Sequence, residues 1–163
     1  MDRKLPTSGQ IERDLSQKIQ KLYREQLGHS PRKVICKLFD NRLAVVIEDS
    51  MTILQKTLIE ENNQKETAKY INLAIDNVIK SKLKIAIEEV LEIEVYDILF
   101  DSSLKSQQAG AVVILTQSPS VRRPELVPKI RKTQLKDKYI EDGFSSSDSN
   151  TSTLNSKSNT EDI

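Results

Sequence analysis

Cysteine, histidine and glycine are scarce in this chain of 163 residues, and each scarcity removes a class of chemistry. The single cysteine, Cys36, excludes an intramolecular disulfide and any multi-cysteine metal site. It sits in the apolar run Val34-Ile35-Cys36, where a small core filler is expected rather than a reactive thiol. The four glycines, Gly9, Gly28, Gly110 and Gly143, are too scattered to build a phosphate-cradling loop, which argues against a nucleotide enzyme. The lone histidine, His29, has no sequence neighbours that complete a triad or a metal set, so its plain reading is an exposed loop residue. Long apolar runs are missing too. Ala111 to Leu115 falls far short of the ~20 residues a membrane span needs. The start, Met1 to Pro6, is polar and lacks the apolar stretch of a secretory signal, so a cytoplasmic protein is expected. Neither sign of charge is in excess: Lys+Arg (25) nearly balance Asp+Glu (24), and any anionic partner would have to be met by a local patch.

What is present is patterned. Ile11, Leu15, Ile19, Leu22 and Leu27 recur at helical spacing, with Thr7 or Ser8 to cap the start and Gly28 to end the helix. After Pro31, the β-rich runs Val34 to Phe39 and Leu43 to Ile47 flank Asp40-Asn41, a pair suited to a hairpin turn. Thr52 with Gln55 three residues on matches a capping box ahead of Ile53, Leu54 and Leu58. A long helix follows from Lys65 to Leu91, carried by Ile71, Ile75, Val78, Ile79, Leu83, Ala86, Ile87 and Val90. Val95 to Phe100 and Ala111 to Thr116 read as two further strands. The order α-β-β-α-α-β-β predicts an α+β fold with a four-stranded antiparallel sheet packed by helices.

The strands carry apolar residues on both faces. Leu43, Val45 and Ile47 alternate with Ala44 and Val46, and Val113 and Leu115 with Val112 and Ile114. A sheet with one wet face alternates apolar with polar, so the second face calls for another helix or another protomer, and a homodimer is the expectation.

Past Pro119 the composition changes. Arg122, Arg123, Lys129, Arg131, Lys132, Lys136 and Lys138 face only Glu125 and Asp137 between residues 121 and 138, and from Ser145 onward serine, asparagine, threonine and acidic residues dominate. The expected organisation is a flexible N-terminus at 1–8, the α+β domain at 9–117, a basic linker at 118–144, and a disordered Ser/Asn-rich tail at 145–163. Arg122, Arg123, Lys129, Arg131 and Lys132 are candidate phosphate contacts, against the plainer reading of a solvated linker. Asp97 and Asp101, four apart at the third strand with Glu92 and Glu94 just before, could hold a cation or act as an acid–base pair. No ligand loop accompanies them, so solvated strand-end carboxylates are expected, with no metal and no cofactor.

Several of these segments together resemble the MpsC family. They are Gly28-His29-Ser30-Pro31, the hairpin with Asp40-Asn41 at its turn, Met51 to Leu58, the long helix, Val95 to Asp101, and Val113-Ile114-Leu115. The family's Gly-Arg-Gly-Pro is matched with His29 and Ser30 replacing the arginine and second glycine, and its Leu-Thr-x-x-Glu-Lys-x-Leu with Gln55 replacing the glutamate. Glu92 stands where a glycine usually precedes the third strand. The resemblance implies a soluble, non-catalytic accessory or regulatory protein of a sodium-translocating, membrane-potential-generating system linked to inorganic-carbon (bicarbonate) uptake, with a membrane transport subunit as partner. Gly28, His29, Pro31, Thr52, Lys56, Asp97 and Asp101 become its candidate partner-binding residues. The competing reading is a nucleic-acid-binding regulator using residues 121–138.

Overall fold

The computed structural model describes residues 4–61 and 64–130. Helix α1 (Ser8–Leu27) begins at a reciprocal cap: the Thr7 hydroxyl accepts from the Gln10 N–H, and the Gln10 side chain accepts from the Thr7 N–H. Gly28 ends it in the left-handed region at φ 62, which a residue without Cβ enters freely. Strands β1 (Lys33–Phe39) and β2 (Arg42–Glu48) form the first hairpin, with Asp40 taking the positive φ of the turn. Helices α2 (Ile53–Glu60) and α3 (Lys65–Leu91) follow, then the hairpin of β3 (Val95–Ser103) and β4 (Gln108–Leu115). All neighbours pair antiparallel in the order β1-β2-β4-β3, giving the expected α+β architecture. The second hairpin is longer than its apolar runs suggest, because backbone pairing continues through polar Ser102, Ser103 and Gln108.

The core lies on one face of the sheet. Cys36, Leu38, Leu43, Val45, Ile47, Ile98, Val113 and Leu115 meet Ile11, Leu15, Ile19 and Tyr23 of α1 and Ile79, Leu83 and Ile87 of α3. Val78, expected on the α3 stripe, is 49% exposed: it sits about 100° around the helix from Ile79, and the buried line runs instead through Ala68, Ile79, Leu83, Ala86 and Ile87. Burial pushes the Cys36 thiol up to about 11, as befits an inert core filler. On the opposite face Val46, Leu99 and Val112 are exposed.

The chain does not leave the core at Gln117. Val121 and Val127 are buried in it, and the Arg122 N–H donates to the Pro6 carbonyl at 2.9 Å. The first part of the expected linker 118–144 is thus part of the fold, held by two valines spaced between the basic residues, and Pro6 and Thr7 of the expected flexible N-terminus are tied in with it. The remainder of that segment, with Arg131 and Lys132, and the tail at 145–163 lie outside the described residues.

Helix α3 stops at Glu92, which sits in the left-handed region at φ 55 with its N–H on the Glu88 carbonyl. A residue with a Cβ is strained there and glycine is not. Glu92→Gly is therefore expected to stabilise the fold by about 0.5–1 kcal/mol. A urea midpoint that stays put or falls would show that the Glu92 side chain has compensating contacts.

Candidate functional site

Five of the seven candidate partner-binding residues come together where the α1–β1 loop meets the β2–α2 loop. His29 is not the exposed loop histidine its sequence context suggests: its side chain is only 15% exposed, and Nε2 lies 2.6 Å from the Asp49 carbonyl oxygen. A carbonyl only accepts, so Nε2 carries the proton. Asp49, at φ 56, turns its carboxylate to Lys56, whose Nζ donates to Oδ1 at 2.6 Å; Oδ2 is 4.0 Å from His29. The hydrogen bond from Lys56, reinforced by its charge and by those of His29 and Arg32, holds the Asp49 carboxyl below the usual range. Pro31 is buried, its carbonyl accepting from Gln20 of α1 at 3.3 Å, and Arg32 pairs with Glu48 at 3.1 Å. Gly28 supplies the turn into this loop and Thr52 the cap that leaves it.

Behind the loops runs a polar chain joining three elements. Gln55, only 2% exposed, accepts at Oε1 from the Thr52 N–H (2.8 Å) and hydroxyl (2.9 Å), and its amide donates to Asn72 Oδ1 at 3.0 Å. The Asn72 amide donates to Ser102 Oγ (2.7 Å) and Asp76 Oδ2 (3.1 Å), and the Ser102 hydroxyl donates to the same carboxylate oxygen at 2.6 Å. The chain ends on the Asp76 carboxyl, whose Oδ2 accepts from both Asn72 and Ser102. Burial pushes the Asp76 carboxyl up, the Ser102 hydroxyl pulls it back, and nearby Asp101 raises it further. Tyr23, buried in the core near Asp76, has its phenol raised by burial first and that carboxylate second. Only the Thr52–Gln55 spacing signalled this network; Asn72, Asp76 and Ser102 meet through tertiary packing alone.

Asp97 and Asp101 stand apart from the loop cluster. They share a face of β3, but each carboxylate accepts from the next backbone N–H, Asp97 from Ile98 at 2.7 Å and Asp101 from Ser102 at 2.9 Å. They mask donors on an edge strand. Of the basic candidates, Arg122 and Arg123 are exposed beside Thr7 and Ser8, and Lys129 lies 3.8 Å from Asp40. Among the described residues, no group of three or more His, Cys, Asp or Glu is arranged to hold a metal ion. Leu54 and Ile53, just after Thr52, are 58% and 79% exposed, and Tyr70 and Leu73, flanking Asn72, are 72% and 59% exposed.

A family model described as "Na+-translocating membrane potential-generating system (MpsC)" matches residues 7–117, the span that holds α1 through β4 and all five clustered residues. No curated protein and no solved structure matches the chain.

Two outcomes follow from this geometry. Gln55→Glu restores the residue usual in the MpsC pattern and keeps the cap, but sets a carboxylate against Asn72 Oδ1; turning the Asn72 amide to meet it strips donors from Asp76 and Ser102. A loss of about 1–3 kcal/mol in chemical denaturation is expected, and unchanged stability would show that the network re-sorts freely. The Asp49 carboxyl, lowered in the fold, contributes stability that is complete above its unfolded value of about 3.9 and is lost as pH falls through the folded value. In Lys56→Met, NMR titration should find this carboxyl nearer its ordinary value, with a shallower acid-side fall in melting temperature; an unmoved titration would assign the lowering to another group.

Proposed function

Because the chain belongs to the MpsC family, whose description is a sodium-translocating system that generates membrane potential, we propose that it is a non-catalytic accessory subunit docking on a membrane component of that system. The observation that carries this reading is the family match across α1 to β4. The surface offered for docking is the loop cluster of Gly28, His29, Pro31, Thr52 and Lys56, together with the exposed Ile53 and Leu54 that directly follow Thr52. Such a surface suits a protein partner, since exposed apolar anchors beside charged and hydrogen-bonding groups are the composition of a binding patch. No helix among the described residues is long and apolar enough to cross a membrane, and on this reading the ion path belongs to the partner. The chain works at the cytoplasmic face, and the gradient-linked task of the assembly is uptake of inorganic carbon. His29 acts by holding the loop in shape, as its bond to the Asp49 carbonyl joins the two halves of the surface.

Co-purification of the tagged chain from membranes in mild detergent tests this. Membrane transport subunits should elute with the wild type, and Leu54→Asp and His29→Ala should each weaken their retention by about tenfold or more. An eluate holding nucleic acid that leaves steeply with salt, and no membrane subunit, would overturn the proposal in favour of a phosphate-contacting regulator working through Arg122, Arg123 and Lys129.

A further inference from the structure

The sheet face that no other described residue covers has an internal order that its exposure alone does not convey. Backbone register sets its side chains in four rows across β1, β2, β4 and β3: Phe39-Arg42-Ile114-Asp97, then Lys37-Ala44-Val112-Leu99, then Ile35-Val46-Gly110-Asp101, then Lys33-Glu48-Gln108-Ser103. The four central positions, Ala44, Val46, Gly110 and Val112, alternate small and large both along each strand and across the β2–β4 pair, so that the two small residues share one diagonal and the two large ones the other. The β1 flank carries Lys33 and Lys37, with Arg42 next to it on β2; the β3 flank carries Asp97 and Asp101. Glu48 and Lys80, which reaches the rim from α3, are the departures from this division.

The sheet edges, by contrast, are partly masked. On β1 the Glu12 carboxylate accepts from the Leu38 N–H at 3.0 Å and pairs with Lys37 at 2.9 Å, and on β3 Asp97 and Asp101 occupy edge donors. Edge-to-edge pairing is thereby disfavoured relative to contact with the apolar face.

We propose that this face binds a second copy of the same chain, sheet against sheet, about a twofold axis lying between the sheets and parallel to the strands, midway between β2 and β4. That operation sets Val46 over the partner's bare Gly110 and Val112 over the partner's Ala44, so large side chains enter small positions at the centre. It also lays the basic β1 flank over the acidic β3 flank, bringing Lys37 between Asp97 and Asp101 of the partner subunit. A twofold axis across the strands would match the central checkerboard equally well but would stack basic flank on basic flank, and charge decides between them. The apolar centre supplies the adhesion and the flanks supply the orientation.

Sedimentation equilibrium of the full chain tests the proposal, with a dimer expected at high micromolar concentration in both low and high salt. Gly110→Val is the informative variant. A Cβ at Gly110 meets only the Val45 carbonyl at 3.5 Å within its own protomer, so the variant should fold with an unchanged circular dichroism spectrum while the dimer weakens by about tenfold or more. Val112→Lys, at an exposed position, should do the same. A wild type that is monomeric throughout, or a Gly110→Val protein that dimerises as tightly as wild type, overturns the assignment. A mixture of Leu99→Cys and Lys37→Cys proteins should cross-link under mild oxidation; Leu99→Cys linking readily to itself instead would overturn the strand-parallel axis.

Discussion

Helices α1 and α3 bury their apolar stripes against the same face of the sheet, and Leu15, Ile19, Leu43, Ile47, Ile79, Leu83 and Ile87 are shut off from solvent as a result. Each such side chain contributes about 1.5–3 kcal/mol on burial, so this one-sided packing dominates the stability of the domain. It also uses both long helices on one side. α2 is short, buries only Gln55 fully, and packs beside α3 rather than on the sheet. The second sheet face and the outer surfaces of α2 and the first turns of α3 are left with apolar side chains that the described residues do not cover.

The polar groups near these surfaces are arranged to fix shape. Asp49 at positive φ would be a weak point in the turn from β2 to α2; its carbonyl is taken by His29 and its carboxylate by Lys56, so the conformation is over-determined from two sides. Gln55 does similar service one turn later, joining the α2 cap to Asn72, Asp76 and Ser102. A buried polar chain of this kind is favourable only when every member is satisfied, and no buried side-chain donor or acceptor is left unpartnered among the described residues.

How much of this was legible depends on the range of the cause. Element order, the Thr52–Gln55 capping box and the Gly28 stop are local effects, and spacing reveals them. The two-sided apolar character of β2 and β4 was equally plain, since alternation along a strand maps directly onto faces. The burial of His29 was not, because its partner is a carbonyl twenty positions on, supplied by a turn whose positive φ falls on an aspartate rather than a glycine. Asp97 and Asp101, four apart, share a face of β3, but nothing in their spacing shows that each folds back onto the next N–H. The reach of the fold past Gln117 was hidden for a different reason: Val121 and Val127 are isolated apolar residues in a basic, proline-containing stretch, and only contact with the core gives them meaning.

The hydrogen bond from Arg122 to Pro6 joins residues at opposite ends of the described fold and lies next to the N-terminal cap of α1. During vectorial synthesis on a ribosome, α1, both hairpins and α3 all emerge before Val121 and Val127 do. The nascent domain must therefore wait, with part of its core open, until the stretch following β4 clears the exit tunnel. Contacts of such wide sequence separation slow the final closure and prolong the exposure of apolar surface, which makes this interval the one in which a chaperone has most to protect.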